Sequence, residues 1–543
     1  MKKVEGNIVD IHERKIYPGV IVLEGGKIVS IDKNSMHYSH YITPGLVDAH
    51  VHIESSMLTP FEFSKLVIRK GTVAVVTDPH EIANVLGKSG IDFMVEDSHY
   101  SFVKTFFTIP SCVPSTPFDF SGGNITADDV EKLFQTGKFI GLSEMMDVPG
   151  VLSKEENVIK KIHSARERGM CIDGHAPGLR GEKLQNYIDE GISTDHECTD
   201  LDEALEKINA GMKILIREGS AARNFNALKS LIKICPEKVM FCTDDSHPDE
   251  LINRGHIDKM VRQAILEGFD LFDVLRIASL NAIEHYGINI GTLRVGEKAD
   301  FVIWDNLSDF NVQSVYINGE EKYGKSNNLS IENGQRHYVI NRLNKFERKA
   351  ISEEDIKKSV DDKIICIGVT DGELITTKEI FPIKTPVLNF ESDTERDILK
   401  IVYINRYTNA SSPQVAYIHG VGIRYGAFAT SITHDSHNII AVGCTDMEIR
   451  QAVNAIIETG GGLSVVNKGK MNVMPLPIGG IMSDRRGEEV AACWQEFTQE
   501  LKDMGCLLQS PFMTLSFMAL LVIPELKLGE KGLFEYSKFN FIS

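Results

Sequence analysis

Eight apolar stretches alternate with helix-like segments between residues 44 and 289, and this alternation constrains the fold more than any other feature. Repeated strand–helix units predict a parallel sheet, and eight of them in about 240 residues are typical of a (β/α)8 barrel. We therefore expect an α/β protein with a TIM-like barrel at residues 44–289. The predicted strands are residues 46–53, 73–77, 106–109, 139–142, 170–172, 192–194, 213–216 and 238–243.

Imidazoles and carboxylates follow these strands. The first strand ends in His50 and His52, which share one face with Asp48 because strand side chains repeat every two residues. Later strands run into Glu144, His175, His196 and Asp244. The carboxyl ends of barrel strands meet on one rim, so these side chains are predicted to converge. One histidine alone would be explained more simply as a buried hydrogen-bonding residue, but the whole ring favours a metal site.

This set of residues predicts a site for two metal ions: His50, His52, Glu144, His175, His196 and Asp244. Imidazole and carboxylate ligands suit Zn, Mn or Fe(II) better than Mg or Ca. A glutamate can bridge two cations, and two ions about 4 Å apart can share a water and lower its pKa. Asp244 is then predicted both to bind a metal and to accept the proton of that water.

Two further regions flank the predicted barrel. Residues 1–43 and 290–344 have alternating apolar residues and Gly turns, which predict one small β domain built from both sides of the barrel sequence. Residues 345–543 are predicted to form a linker and a C-terminal α/β domain, in which residues 345–358 are a solvated linker or surface helix. Strands are expected at 415–419 and 439–442, and helices at 445–459 and 488–504.

Composition excludes several classes of function. The net charge of −18 argues against binding a nucleic-acid backbone, which needs clustered Lys and Arg. Nine cysteines without a C-x-x-C pair favour a reduced, cytoplasmic environment. No signal peptide is indicated, and no apolar run is long enough for a membrane span.

Several longer motifs extend the His-x-His pattern. The chain resembles the amidohydrolase superfamily and, within it, the bacterial adenine deaminase family. The segments that carry this resemblance are residues 44–60, 77–85, 110–114, 217–220, 291–305, 434–438 and 510–516. They are spread over nearly the whole chain, and the segments beyond His52 make the resemblance specific to that family.

The resemblance implies hydrolytic deamination of adenine to hypoxanthine and ammonia, in purine salvage, by a metal-bound hydroxide. It implies a binuclear centre of Mn(II) or Fe(II), with Zn(II) as a further option, held by the six residues above. We also expect a homo-oligomer, most simply a dimer. The acid that protonates N1 of the purine is left open among His80, Glu81 and Glu218.

Two other functions stay open on the sequence alone. Another metal-dependent amidohydrolase, acting on a cyclic amide or an N-acetyl sugar, would share the barrel and the His-x-His pattern. A scaffold without enzymatic activity would have lost ligands, whereas all six are present. Residues 434–437 (His-Asp-Ser-His) favour a buried polar network over a second metal site, or a loop that reaches over the barrel mouth.

Overall fold

The computed structural model describes residues 1–116, 118–220, 222–324 and 343–542. Parallel strands form the central part, and all eight predicted strands are present. In spatial order, a five-stranded sheet contains Leu46–Val51, Thr72–Thr77, Lys104–Ile109, Phe139–Met145 and Cys171–Gly174, and a three-stranded sheet contains Thr194–Asp195, Lys213–Arg217 and Val239–Cys242. The strands lie in the same order in space as along the chain.

Backbone hydrogen bonds connect these two sheets at both edges. Asp244, two residues after the last strand, donates its N–H to the carbonyl of His50 at 3.0 Å, and its carbonyl accepts the N–H of His52 at 3.1 Å. At the other edge, Ser193 donates its N–H to the carbonyl of Ile172 at 2.9 Å. The parallel strands therefore curl, and the first strand lies beside the last.

Helices connect the strands and bury their apolar faces. The helix Ala127–Gln135 is one example, because Thr126 and Asp129 form a capping box at its start and Leu133 is buried. The other helices of this region are Pro60–Val67, His80–Leu86, Lys88–Ser98, Val148–Ser153, Glu156–Arg166, Gly181–Asp189, Leu201–Asn209, Phe225–Leu228, Leu231–Ile234, Pro248–Asn253, Ile257–Leu266, Leu271–Leu275 and Asn281–Tyr286.

Strands from before and after this region pair in one seven-stranded sheet. Its spatial order is Glu320–Gly324, Val312–Ile317, Phe301–Trp304, Tyr41–Pro44, Lys2–Asp10, Lys15–Glu24 and Lys27–Lys33. Phe301 lies opposite Pro44, and Trp304 lies opposite Tyr41. The expected pairing of the first strands with a distant segment is therefore present, while the proposed domain boundaries remain predictions.

One strand begins later than its alternating sequence predicted. Residues 291–300 form turns, and the strand starts only at Phe301. Carboxylates accept hydrogen bonds from backbone N–H groups of these turns: Glu297 from Thr292 at 2.6 Å, and Asp300 from Gly291 at 3.0 Å. Local side-chain acceptors compete here with strand pairing. Residues 325–342 of the expected β region lie outside the described residues.

The C-terminal part is a second α/β unit. Its eight-stranded sheet has the spatial order Thr377–Pro382, Lys363–Gly368, Gln414–His419, Ile398–Ile404, Ile439–Gly443, Ala427–Thr430, Gly462–Asn467 and Lys470–Pro475. A smaller sheet contains Leu526–Gly529, Gly532–Glu535 and Asn540–Phe541. The α-helices in its described residues are Asp446–Thr459, Gly487–Asp503 and Pro511–Ser516, so both helices expected here are present.

The segment 345–358 is less solvated than its charge predicted. It contains one short 3₁₀ helix, Glu353–Ile356, and buries Ile351 and Ile356. These side chains cover the apolar face of the helix Asp446–Thr459, in a cluster that includes Ile449. The charged residues around Ile351 and Ile356 led to the prediction of a solvated segment, although these two side chains are buried. Across the described residues, we find no helix with the length and apolar character needed to cross a membrane.

Candidate metal centre

The first two predicted ligands extend from the end of a fully buried strand. The ring nitrogens His50 Nε2 and His52 Nε2 approach to 3.1 Å. Asp48, on the same face of the strand, does not join them, because its carboxylate accepts hydrogen bonds from the backbone N–H and hydroxyl of Thr243 and lies 2.9 Å from His256 Nε2. Asp48 therefore fixes the first strand to the last, below the candidate site.

Asp244 brings the last strand to these histidines. Its Oδ1 lies 3.4 Å from His50 Nε2 and 3.1 Å from His52 Nε2. Its Oδ2 accepts a hydrogen bond of 2.7 Å from Nη1 of Arg217, which also contacts Glu197. The arginine thus orients the aspartate so that one oxygen faces the imidazoles.

Glu144 lies between two pairs of histidines. Its Oε1 is 3.2 Å from Nε2 of His52 and 4.0 Å from that of His50. Its Oε2 is 2.8 Å from Nδ1 of His175 and 3.1 Å from Nε2 of His196. Each carboxylate oxygen therefore faces a different pair, which is the arrangement needed to bridge two cations.

These distances fit a metal site. Ligands about 2.1 Å from one ion, at tetrahedral or octahedral angles, lie about 3.0–3.4 Å from one another. The approaches among His50, His52 and Asp244 fall within or close to this range. The tautomer of His52 also fits, because its Nδ1 donates to the carbonyl of Asp78 at 3.1 Å and leaves the Nε2 lone pair free. The described residues thus form a donor set suited to divalent cations.

Buried charges shape the electrostatics of this set. Burial alone would raise the pKa of Glu144, but the imidazoles of His175, His196 and His52 beside it lower it well below its usual value. Burial likewise opposes ionisation of Asp244, and Arg217 together with His50 and His52 lowers its pKa well below the usual range. Both carboxylates are therefore held in the anionic form that binds cations.

His80 and Glu81 lie in the same pocket. His80 Nδ1 lies 2.8 Å from Asp78 Oδ2 and 3.4 Å from Glu144 Oε1. Glu81 is contacted by two imidazoles of the C-terminal unit, with His434 Nδ1 at 2.5 Å from its Oε1 and His437 Nε2 at its Oε2. Burial raises the pKa of Glu81, but these two imidazoles lower it well below its usual value.

The third candidate acid lies apart from this pocket. Arg217 and Glu218 occupy successive positions at the end of a strand, so their side chains point to opposite faces. Arg217 lines the pocket, whereas the charged side chains near Glu218 are Lys259 and Arg223. Burial raises the pKa of Glu218, but the structure does not bring it to the predicted ligands.

The C-terminal unit completes the pocket. Residues 434–437 reach over the predicted barrel mouth, one of the alternatives that the sequence left open, and His434 and His437 contact Glu81. This unit also places Asp435 and four apolar side chains against the pocket, and no specific role was predicted for the apolar ones: Leu374, Phe517, Leu520 and Ile523. Phe517 stacks on His434 with ring centroids 4.5 Å apart. The apolar run at residues 513–524 was the signal for Phe517, Leu520 and Ile523.

Comparison with known families agrees with this geometry. The amidohydrolase family matches residues 41–322, which contain the parallel strands and all six predicted ligands. The chain therefore belongs to the amidohydrolases, a class of hydrolases whose divalent metal site is formed by side chains of this kind. A second match, to the adenine deaminase C-terminal domain, covers residues 373–540.

Similar proteins extend over the whole chain. Adenine deaminase from Methanosarcina mazei is 49% identical, over 100% of this chain and 99% of its own length. The adenine deaminases of a Sulfurovum species and of Borreliella burgdorferi are 47% and 43% identical, with 99% of each chain covered. The chain belongs to the adenine deaminase family.

Proposed function

We propose that this chain hydrolyses adenine to hypoxanthine and ammonia. The observation that carries the proposal is the convergence of four imidazoles and two carboxylates at one end of the parallel strands, in a chain of this family. The pocket beside them is lined in part by apolar side chains of the C-terminal unit, which can pack against a planar base.

We propose two metal positions that share Glu144. His50, His52 and Asp244 would hold one cation, and His175 and His196 the other. Mn(II) is the expected metal, with Fe(II) and then Zn(II) as alternatives, since all three accept imidazole and carboxylate ligands. Bound cations supply Lewis acidity, which acidifies a water and polarises the substrate near neutral pH.

Asp244 is the proposed proton carrier. It accepts a proton from the water that attacks C6 and passes it to the amino group, which leaves as ammonia. The other water proton ends on the purine ring, so hypoxanthine and ammonia account for every atom of adenine and water. Arg217 holds the second oxygen of Asp244, which keeps Oδ1 directed at the reacting groups.

The proton for N1 is assigned to the pair His80 and Glu81, because both line the pocket. Both oxygens of Glu81 are engaged by His434 and His437, so His80 is the more direct donor. Its Nε2 lies 3.6 Å from Oε1 of Glu81, and the second proton of the attacking water would replace the one that His80 gives to N1.

The chain organisation is also part of the proposal. We propose that the eight parallel strands close as a (β/α)8 barrel at residues 44–289, since the backbone of Asp244 bonds to that of His50 and His52. Residues 1–43 and 290–344 would form the small β domain, and residues 345–543 the linker and C-terminal domain. The protein would act as a dimer on a small molecule, without binding nucleic acid.

The test is metal reconstitution. The purified protein is treated with a chelator, loaded with Mn(II), and assayed for adenine loss together with ammonia release, with adenosine and guanine as controls. Metal-dependent conversion of adenine alone is expected. Absence of adenine turnover, in protein shown to contain two metal ions, would contradict the proposal and point to another amidohydrolase substrate.

A variant tests the role of Asp244. Asp244→Asn keeps the size of the side chain but removes its ability to accept a proton, so kcat should fall at least about 100-fold. The measurement is ammonia release at matched metal content. Full activity in metal-loaded Asp244→Asn would exclude the aspartate as proton carrier.

A further inference from the structure

Within the described residues, one carboxylate of the candidate active site has no hydrogen-bond partner. Asp435 lines the same pocket as the predicted metal ligands, and its side chain is about 5% exposed. Its Oδ2 is buried without a hydrogen-bond partner among the described residues. Its Oδ1 lies 4.0 Å from Nδ1 of His434, which is beyond hydrogen-bonding distance.

The other carboxylates of this pocket are engaged. Both oxygens of Glu144 face predicted metal-binding histidines, and Asp244 is held by Arg217. The remaining three are partnered as well: Glu81 by His434 and His437, Glu197 by Arg217, and Asp245 by Ser55. Asp435 is therefore the pocket carboxylate whose buried oxygen has no partner within the described part of the chain.

Such an oxygen is costly unless something binds to it. A buried acceptor without a donor forfeits its hydrogen bonds to water, and a ligand in the adjoining pocket can restore them. Adenine as a free base carries an N–H on its imidazole ring, at the side of the molecule away from C6. Adenosine carries ribose at that nitrogen and has no such donor.

We propose that Asp435 recognises the free base by accepting a hydrogen bond from the imidazole N–H of the purine, and so determines specificity for the base over its nucleosides. This inference rests on the proposed function for the identity of the ligand. It assigns a specificity residue to the C-terminal unit, while the predicted metal ligands all come from the parallel strands. Asp435 lies near the metal ligands, since one polar atom of its side chain is within 4.8 Å of one of His80, whose Nδ1 is 3.4 Å from Glu144 Oε1.

The test compares two ligands that differ at one nitrogen. Hypoxanthine retains the imidazole N–H, and 9-methylhypoxanthine lacks it. Their affinities for the Mn(II)-loaded protein are measured by isothermal titration calorimetry, which needs no turnover. Hydrogen bonds to charged groups predict that the wild-type protein binds hypoxanthine about 10- to 100-fold more tightly. Equal affinities in the wild-type protein would overturn the proposal without any variant.

Variants locate the effect at Asp435. Asp435→Leu has similar branching but no acceptor, so its preference for hypoxanthine should fall to about 1. Asp435→Asn retains an amide oxygen and should keep part of the preference. Asp119→Asn is the control, because Asp119 is a half-buried carboxylate that accepts hydrogen bonds from Ser115 and Thr116 and does not line this pocket.

The outcomes separate the two proposals. An equal loss of affinity for both ligands in Asp435→Leu, at unchanged metal content, would mean a structural role and would overturn the inference. Adenine turnover together with an unchanged ligand preference in Asp435→Leu would refute this inference alone. The expected preference without any adenine turnover would support Asp435 as the base-recognising residue and refute the deaminase proposal.

Discussion

Replacement of Lys527 by methionine should stabilise the protein at neutral pH. Lys527 lies in the strand Leu526–Gly529 with a side chain that is 0% exposed. Its Nζ donates to the carbonyl of Leu374 at 2.9 Å, and within the described residues no carboxylate forms an ion pair with it. Burial lowers the pKa of Lys527 from 10.5 to about 7.

The magnitude follows from this shift. A change from 10.5 to about 7, at about 1.4 kcal/mol per pKa unit, means that burying the charged lysine costs about 5 kcal/mol in acid and about 4 kcal/mol at pH 7. Methionine removes this cost but leaves the Leu374 carbonyl without its donor, a loss of about 1–3 kcal/mol. A net gain of about 1–3 kcal/mol in the free energy of unfolding is expected at pH 7.

The effect of Lys527→Met on stability should depend on pH. Between about pH 7 and 10.5 the unfolded chain binds a proton that the folded lysine has lost, so wild-type stability rises with pH in this window. The advantage of Lys527→Met should therefore shrink as the pH rises and disappear between about pH 8 and 10, where the remaining cost of burying the charged lysine equals the loss at the Leu374 carbonyl.

The assay is urea unfolding at pH 7 and at pH 9.5, followed by hydrogen exchange of the backbone amides of Leu526–Gly529. Lys538→Met is the control, because that lysine is 61% exposed beside Glu535 and its replacement should change stability by less than about 0.5 kcal/mol. A Lys527→Met variant that is destabilised by the same amount at both pH values would refute the reasoning.

Three further changes test the site and the fold. Arg217→Met removes the cation that lowers the pKa of Asp244, so the acidic limb of the kcat/KM profile should move up by about 1–3 pH units. An unchanged pH profile would mean that the arginine has only a packing role. Burial lowers the pKa of His247 to about 4, so the wild-type protein loses stability as the pH falls from 6.5 to 4. His247→Phe should remove about 3 kcal/mol of that loss, which acid denaturation of the two proteins would measure. Gly71→Ala places a Cβ 2.4 Å from Cη2 of Trp304 at a φ of +84°, and should lower the free energy of unfolding by about 1–3 kcal/mol in thermal scans, whereas an unchanged Tm would contradict this packing.

The parallel strands and the positions of the predicted ligands were predictable from sequence because they depend on short-range patterns. Apolar runs of strand length, separated by helical stretches, define the units. A polar residue directly after such a run must lie at the carboxyl end of the sheet. This rule places His50, His175 and Asp244 on one rim without any knowledge of packing.

Other features of the site depend on side-chain direction and could not be predicted in the same way. Asp48 shares a face with His50 but turns to Thr243, since a neighbouring strand offers it two donors. Glu218 follows Arg217 directly, yet the alternation of the strand directs it away from the pocket. Periodicity gives the face of a residue, whereas the neighbours on that face decide its contacts.

The contribution of the C-terminal unit was decided by tertiary structure alone. His437 is 356 residues from Glu81 in sequence, and Asp435 lies in the same loop beside the pocket. No local pattern relates these positions, because their contact arises only when two separately patterned units pack together. The sequence by itself therefore determined the strands and the metal-binding residue types. The packing of the two units determined how Glu81 is held and which apolar side chains line the pocket.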